Sequence, residues 1–507
     1  MRKAFKKLRE KGLDKSSNNA VRIMDALVID ASDLYVMYSP PTVEAEALLR
    51  QDSTLILADY PLDYDYTQEE LIARPALLEG EIPDYYAAIK INSEQASEQS
   101  YILLDELYIP EEDPYFTGIA PLNARTTDSN IIESKEDLLR HLLYEAYKLT
   151  GNEAELDQVP LENGRWIFGT RWWPSGRITL FDEVVGANVP VVGAQVLIRQ
   201  WFTVRQGITD ANGNFSTSSV RGSARYILQW ERYHYSIRNG AFFQAEHRGS
   251  KETNVPWNVN FASGDDLYHA LIHQAAHDYY YGHRFGLTSP SRNGFEIGSI
   301  QMKIAARETA PWGVASSYSH GRSDYTGGLI AQITIKAYGN AADLVYGTTI
   351  HELTHASHAM VDRDSYNNLV WDGWIAPIQP GVKDNNRRTL ETWARTVEIA
   401  MTLHKYSKEY AVIGYSYFRG GRTNYQLQTT LQENHYTSAG YDMFDDFNQR
   451  TRGTQFPIDR VSGYTLKQLE DGLIGARSWT QWRNNIKKKF DNPTEQFVDE
   501  LFNNWPN

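Results

Sequence analysis

Cysteine is absent from this chain of 507 residues. Its absence excludes disulfide bonds, thiol catalysis, a lipid-modified cysteine and any metal site built on cysteine. Long apolar runs are also absent, because no stretch approaches the ~20 residues that a membrane-spanning helix requires. No apolar segment follows the basic residues between Arg2 and Lys15, so we do not expect this region to be a signal peptide.

Basic residues are the minority among the charged ones. The chain has 50 Lys and Arg against 64 Asp and Glu, a formal net charge of −14. We therefore expect no nucleic-acid binding. Hydrophobic residues make up 41% and charged residues 22%, which predicts a folded protein of about three domains. The 32 tyrosines and 13 tryptophans suit carbohydrate or peptide contacts, although most are expected in cores.

One short pattern indicates a specific chemistry, the sequence His351-Glu352-Leu-Thr-His355. Residues four apart lie on the same face of a helix, so His351 and His355 can hold one metal ion. Imidazole suits Zn²⁺, and a catalytic zinc keeps one position for water. Glu352 is next to the first histidine and can act as the general base that takes the proton of this water.

The surroundings of this pattern predict a helix over 341–360, with Asn340 as its N-cap and Asp343 in its first turn. An amphipathic helix that matches the pattern by chance is the alternative. The residues around the two histidines are uncharged, as expected beneath a cleft: Thr348, Thr349, Ile350, Leu353, Thr354 and Ala356.

A third metal ligand must come from elsewhere, and a second predicted helix over 389–404 carries two candidates, Glu391 and Glu398. Either carboxylate would complete a His, His, Glu set, a standard catalytic zinc site. We favour Glu391 because it opens the helix. Glu398 lies three residues after Arg395, which indicates a surface ion pair, and it stays the alternative. Arg387 and Arg388 are placed ahead of this helix.

Three further polar residues near the pattern are weaker candidates. His358 shares the face of His351, but the rise between them is about 10 Å, too far for one zinc ion. We expect His358 to pack, to face substrate or to support a ligand. Asp362 and Asp364 are expected to orient His355 by hydrogen bonding rather than to bind metal.

The pattern His351-Glu352-x-x-His355, with a glutamate on a later helix, resembles the gluzincin branch of the zincin metallopeptidases. The resemblance implies His351 and His355 as zinc ligands, Glu352 as general base and Glu391 as third ligand. The interval between His355 and Glu391 is longer than the commonest gluzincin spacing. The metzincin pattern is excluded, because Val361 stands where its third histidine belongs.

A different pattern covers residues 166–262, where short alternating strands are separated by turns. Four strands are predicted, at 176–180, 194–201, 214–217 and 225–230. The segment resembles the carboxypeptidase regulatory-like domain, a non-catalytic Ig-like or prealbumin-like β-sandwich often found beside secreted peptidases. The matches are Gly176-x-Ile178, Gly193-Ala-x-Val196, Thr209-Asp-x-x-Gly-x-Phe215 and Gly222-x-x-x-Tyr226.

The remaining regions flank this sandwich. Residues 1–165 predict an α/β accessory domain with strands at 34–38, 54–58 and 86–91 and a helix over 135–149.

Residues 263–507 predict a mostly helical zincin-like domain, beginning with a helix over 265–281. Strands at 297–306 and 329–338 precede the His351 helix, in zincin order, and an edge strand of that kind binds extended substrate. The fold class is therefore multidomain α+β.

Other polar residues of the predicted catalytic domain are less specific. His273-Gln-Ala-Ala-His277 mimics the metal pattern but has glutamine in place of the base, so we expect packing histidines. Lys487-Lys-Lys489 is interpreted as a solvated helix end. Four residues are candidate stabilisers of a carbonyl or oxyanion: Tyr406, Tyr410, His435 and Tyr436.

These patterns together predict a zinc metallopeptidase that hydrolyses peptide bonds in a peptide or protein substrate. The alternatives are a surface binding or adhesion protein with an idle zincin fold, and a zincin that hydrolyses another bond. We expect an exported protein, secreted, periplasmic or at the cell surface, whose leader is not in the given chain. Substrate preference and oligomeric state are left open.

Overall fold

The chain was analysed as a computed structural model, which divides into two compact units. Unit 1 comprises 1–178, 193–229 and 246–259, and unit 2 comprises 179–192, 230–245 and 260–507. None of the described helices is both long and apolar enough to cross a bilayer. The described residues are 1–52, 54–75, 77, 81–93, 100–110, 113–116, 131–152, 161–162, 165–166, 171–240, 243–290, 301–307, 316–318, 331–336, 341–377, 380–417, 419, 425–427, 429–430 and 435–505.

Helices and strands occur together in the described residues, so the fold is mixed α+β. The helices of unit 1 are α1 Arg2–Glu10, α2 Asn18–Asp25, α3 Val43–Gln51, α4 Gln68–Ile72 and α5 Lys135–Leu149. Its strands are β1 Asp33–Tyr38, β2 Tyr85–Lys90, β3 Ile102–Leu107, β4 Leu161–Glu162, β5 Arg165–Trp166, β6 Arg171–Trp172, β9 Gln195–Gln200, β10 Thr203–Ile208, β11 Asn214–Ser216, β12 Val220–Arg221, β13 Ala224–Gln229 and β16 Glu246–Glu252.

Two sheets organise unit 1. The first has the order β2–β1–β3, and both of its pairings are antiparallel. The second has the order β10–β9–β13–β16 and is antiparallel throughout. Helix α5 begins with a capping box between Ser134 and Asp137, and its Leu138 and Leu142 pack in one core with α1 and α2.

The helices of unit 2 are α6 Gly264–Tyr281, α7 Ala342–Val361, α8 Arg363–Val370, α9 Pro380–Leu403, α10 Ala439–Phe444, α11 Leu466–Gly472, α12 Trp479–Lys489 and α13 Val498–Phe502. Its strands are β8 Ala187–Pro190, β14 Tyr235–Asn239, β15 Phe243–Gln244, β18 Met302–Arg307, β19 Ser317–Tyr318 and β20 Ile333–Lys336. Two strands belong partly to each unit, β7 Ser175–Asp182 and β17 Trp257–Phe261. Two π-helical turns, Trp371–Ile375 and His404–Glu409, follow α8 and α9 directly.

A five-stranded sheet and three helices surround the His351 pattern in unit 2. The strand order is β15–β14–β18–β20–β19, with β14, β18 and β20 parallel and β19 antiparallel at the edge. Helix α7 packs between α6 and α9 and also contacts β19 and β20. Its first turn is anchored by Asp343, which accepts hydrogen bonds from Tyr415 and Arg419.

The predicted elements agree with these bounds to different degrees. The helix at 135–149 was predicted with its observed ends, and the helix at 341–360 is one residue out at each end. The strand predicted at 54–58 is wrong, since only Ala58 forms an isolated bridge. Leu55 and Leu57 instead pack from a loop onto the core of the β2–β1–β3 sheet.

Helix α9 is longer than its sequence pattern predicted. It begins at Pro380, so Arg387 and Arg388 lie inside it rather than ahead of it. Strand β18 begins at Met302 and strand β20 at Ile333, within the predicted segments. Several predicted positions lie outside the described residues: the N-cap candidate Asn340 and parts of the strands predicted at 297–306 and 329–338. The three domain boundaries stay predictions.

Candidate metal centre

Helix α7 carries His351 and His355 on one buried face. Both side chains are less than a tenth exposed, and the ring planes meet edge to face with centroids 4.9 Å apart. The two Nε2 atoms are 3.2 Å from each other, because residues four apart lie on the same side of a helix. Thr349 and Thr354 donate to the carbonyl four residues earlier, so the neighbouring hydroxyls are satisfied within the helix.

Helix α9 crosses α7 and brings Glu391 to the two histidines. Its Oε2 lies 3.2 Å from His351 Nε2 and 3.8 Å from His355 Nε2. The three ligand atoms are all within 4.8 Å of one another, so this group could hold a metal ion. Glu391 is therefore the carboxylate that the structure places with the two histidines, and the same three atoms define the candidate metal centre below.

Glu398 lies behind His351, about two turns after Glu391 on α9. Its Oε2 is 2.9 Å from His351 Nδ1, and the side chain is only 1% exposed. The predicted ion pair between Glu398 and Arg395 does form. The prediction that Glu398 lies on the surface is wrong, because its side chain is buried. The carboxylate accepts a hydrogen bond from His351 Nδ1–H, and this contact directs Nε2 towards the candidate metal centre.

Tyr417 supports Glu398 from the other side. Its hydroxyl donates to Glu398 Oε1, the same oxygen that Arg395 contacts. Gly347, one turn before His351 on α7, provides the space for this phenol. A Cβ atom at Gly347 would stand 2.6 Å from the Tyr417 hydroxyl oxygen. Tyr417 was not predicted, because it lies outside the two helices of the site and belongs to no motif.

Glu352 lies on the side of α7 that faces strand β19. It is 5% exposed, and the backbone N–H of Tyr318 in β19 donates to its carboxylate. Burial raises the pKa of Glu352 above the usual glutamate value, and the positive charges of His351 and His355 act in the opposite direction. The carboxylate is therefore fixed beside the two histidines and suited to accept a proton near neutral pH.

Two members of the centre, His351 and Glu391, strongly influence each other's pKa. Burial lowers the pKa of His351, but the carboxylates of Glu391 and Glu398 outweigh burial and raise it to about 9. Burial raises the pKa of Glu391, but His355 and His351 outweigh it and hold this pKa well below the usual glutamate range. A positive ion at this position would find one carboxylate already ionised for it.

Asp362 does not have the role that was expected for it, whereas His358 packs, which was one of the roles expected for it. Asp362 caps α8 by accepting from Ser365 and also accepts from the Gly475 N–H. Among the described residues, the buried His355 Nδ1 has no hydrogen-bond partner, so the prediction that Asp362 orients His355 is wrong. His358 is fully buried against the Tyr366 ring, and burial, assisted by His355, lowers its pKa to about 3.

Tyr436 and His435 border the centre, as two of the four predicted stabilisers. The Tyr436 hydroxyl hydrogen-bonds Glu391, and its ring centroid lies 6.1 Å from that of His351. The His435 carbonyl accepts from Thr392, one residue after Glu391. The other two are engaged elsewhere: Tyr406 donates to Asp182, and Tyr410 contacts Gln274.

The His273 and His277 pair on α6 is a packing feature. His273 is fully buried, with Nδ1 3.0 Å from the Tyr235 hydroxyl and Nε2 2.9 Å from the Val192 carbonyl. Burial lowers its pKa to about 3, with His277 adding to this effect. Both ring nitrogens of His273 are thus occupied by protein atoms, which leaves none for a metal.

No protein-family model, curated protein or solved structure matches this chain. Functional inference therefore depends on the site itself. Two imidazole nitrogens and one carboxylate oxygen converge, one histidine is oriented by a buried acid, and a second glutamate lies beside them.

Proposed function

We propose that the protein is a zinc-dependent peptidase that hydrolyses peptide bonds in peptides or proteins. The observation that carries this proposal is the convergence of His351, His355 and Glu391, with Glu352 adjacent on the same helix. Two histidines and one glutamate are a standard protein contribution to catalytic zinc sites, which differ from structural sites by keeping a position open. The resemblance to gluzincins at these residues supports the same assignment.

The residues present fit a zinc ion by their chemistry. His351, His355 and Glu391 would hold it through Nε2, Nε2 and Oε2, the atoms that already face one another. The hydrogen bond from His351 Nδ1 to Glu398 selects the tautomer that ligation needs. When bound, zinc supplies a Lewis acid that polarises a carbonyl and makes water acidic enough to attack at neutral pH.

Glu352 has the role of general base in this reaction. Its carboxylate accepts a proton from the attacking water and passes it to the amine that leaves when the peptide bond breaks. The raised pKa of Glu352 favours both steps, since it brings the group closer to the pH at which it must accept and release a proton. The Tyr318 N–H holds the carboxylate in place.

Strand β19 and Tyr436 supply the remaining functions. β19 is the edge strand of the five-stranded sheet, and an extended peptide can add to such an edge through backbone hydrogen bonds. Its Tyr318 is hydrogen-bonded to Glu352, so a peptide on this edge would lie next to the base. The Tyr436 hydroxyl, hydrogen-bonded to Glu391, is a donor that could stabilise a developing oxyanion.

The test is the substitution Glu352→Gln, which keeps shape and removes the base. We expect the variant to retain one equivalent of zinc by elemental analysis, while hydrolysis of a random peptide library falls by at least ~10²–10⁴-fold. Glu495→Gln, at a partly exposed position of unit 2, is the control and should leave both values unchanged. Undiminished hydrolysis by Glu352→Gln would remove Glu352 from this role.

The second hypothesis, an adhesion protein with an idle site, predicts no peptide hydrolysis by the wild-type chain. It requires bound zinc without cleavage of any library peptide. An idle site has no need of a base, and the buried Glu352 hydrogen-bonded to β19 therefore favours the peptidase.

A further inference from the structure

An exposed aromatic turn lies directly before the helix that carries Glu391. Trp371, Trp374 and Ile375 are 56%, 44% and 59% exposed in the π-helical turn Trp371–Ile375. Two tryptophans so exposed within four residues are unusual on a protein surface, and such positions often mark binding sites. π-Helical turns are also frequent at functional sites.

Arg387 packs against this turn. Its guanidinium carbon is 5.2 Å from the centroid of the Trp374 ring, and its Nε donates to the Gly373 carbonyl over 2.6 Å. A Cβ atom at Gly373 would approach Arg387 Cγ to 3.3 Å, so the glycine lets the two segments meet. One hydrogen bond and one ring contact therefore fix the side chain while using only one of its five N–H donors.

The remaining donors of Arg387 are free within the described part of the chain. Nη1 and Nη2 have no hydrogen-bond or ion-pair partner there, and the side chain is half-buried. Asp384, three residues earlier on α9, forms no ion pair with it, and Asp372 faces Asn386 instead at 3.5 Å. A fixed guanidinium with two free nitrogens is suited to bind a carboxylate through paired hydrogen bonds.

Arg387 is also close to the candidate metal centre. It precedes Glu391 by four residues, which places it on the same face of α9 about 6 Å along the axis. Burial lowers the pKa of His435, and the charges of both Arg387 and Glu391 also act on it, so His435 is near both residues. The next residue, Tyr436, is hydrogen-bonded to Glu391.

We propose that Arg387, supported by Trp374 and Gly373, is a specificity residue that binds a carboxylate of the substrate close to the scissile bond. The ligand class is a peptide with either a free C-terminal carboxylate or an acidic side chain. The inference rests on the proposed peptidase function and adds a substrate class to it. Trp371 and Ile375 provide an apolar surface beside the same position.

The test compares three octapeptide libraries, N-acetylated and randomised without Cys, Asp or Glu. The first ends in an amide, the second in a free carboxylate, and the third is amidated but contains one glutamate at a random position. Binding is measured by retention on immobilised, zinc-loaded Glu352→Gln protein and mass spectrometry. Cleavage is measured separately with the wild-type protein.

We expect one of the two carboxylate libraries to be retained about fivefold or more over the neutral library. Retention of the second library identifies a C-terminal carboxylate, and retention of the third an acidic side chain. Adding Arg387→Gln should abolish the difference, and Arg387→Lys should keep part of it, because lysine retains the charge but loses the paired geometry. Each variant's thermal unfolding is recorded to verify folding.

Arg452→Gln is the matched control, since Arg452 also lies over an aromatic ring, at 5.1 Å from the Phe447 centroid. It should leave the preference intact. Equal retention of all three libraries, or a preference that survives Arg387→Gln, overturns the inference even if wild-type protein cleaves peptides. Absence of cleavage together with an Arg387-dependent preference would instead reject the peptidase and retain the carboxylate site.

Discussion

At the scale of single residues, the two nitrogens of His351 have separate tasks. Nδ1 is bound to a buried carboxylate, and Nε2 faces His355 and Glu391. Glu391 and Glu398 are the same residue type on the same helix, yet one faces the candidate metal centre and the other supports a ligand. Zinc affinity can therefore distinguish a glutamate that binds the metal directly from one that only supports a histidine.

Substituting these two glutamates separately should give losses of different size. Glu391→Gln removes a charged ligand and is expected to weaken zinc binding by more than about 100-fold. Glu398→Gln leaves all three ligand atoms in place but weakens the acceptor for His351 Nδ1, and about 10–100-fold is expected. Competition with a chromogenic chelator gives both affinities.

The order of the two effects decides the assignment. A larger loss for Glu398→Gln would mean that Glu398 is the ligand in the loaded protein. Glu409→Gln is a suitable control, because Glu409 pairs with Lys405 and His404 on the second π-helical turn instead of with His351.

At the scale of elements, the contact between α7 and α9 determines the site. The two helices carry all three candidate ligands and the proposed base, and Gly347 lies where the segment bearing Tyr417 meets α7. The glycine is unfavourable for the helix by itself, since alanine would stabilise a helix interior by about 1 kcal/mol. Its presence is explained by the space that Tyr417 and Thr402 occupy above it.

Gly347→Ala is therefore expected to destabilise the protein despite its better helix propensity. The new Cβ would lie 2.6 Å from the Tyr417 hydroxyl and 3.1 Å from Thr402 Oγ1, so Tyr417 must move away from Glu398. A loss of about 1–3 kcal/mol in the free energy of unfolding is expected from such overpacking. Zinc affinity should fall as well, because Glu398 loses a donor.

A double-mutant cycle with Tyr417→Phe tests this cause. Removal of the hydroxyl relieves the closest contact, so Gly347→Ala should cost less in the Tyr417→Phe background than in the wild type. Additive losses would show that the helix rather than the phenol contact is responsible.

At the scale of the whole molecule, buried acids of unit 2 should make stability depend on pH. Asp459 is 2% exposed, and burial, assisted by the Asp445 carboxylate, raises its pKa to about 7. Burial likewise raises the pKa of Asp445 to about 7. Because these acids have a higher pKa in the fold than in the unfolded chain, the fold binds more protons between the two pKa values. The free energy of unfolding therefore decreases as pH rises through this range.

Asp459→Asn should remove one such contribution. Between pH 4 and pH 7, the wild type gradually loses the stability that the raised pKa provides, whereas asparagine stays neutral. We expect similar free energies of unfolding at pH 4 and an advantage of roughly 2–4 kcal/mol for the variant at pH 8. Denaturant titration at a series of pH values measures the difference.

The amide oxygen of asparagine can keep the hydrogen bond that Asp459 Oδ1 accepts from Val461 N–H. Asp491→Asn, at an exposed position, serves as the control and should follow the wild type at every pH. A constant difference between Asp459→Asn and wild type from pH 4 to 8 would contradict an acid that is neutral in the fold.

The sequence alone determined the features that depend on local spacing. His351 and His355 face one direction because they are four residues apart on one helix, and no other part of the chain is needed for this. The ends of α5 follow from a capping box and a glycine, which are also local. The mixed α+β class followed from the alternation of apolar residues.

Only the tertiary structure decided what depends on distant segments. Glu391 and Glu398 are both on one helix, and the crossing of α9 over α7 places Glu391 at the candidate metal centre and Glu398 at His351 Nδ1. Tyr417, and Tyr318 beside Glu352, come from segments without a recognisable pattern. Helix crossings and sheet edges are set by packing between residues far apart in the chain, and short-range periodicity does not contain that information.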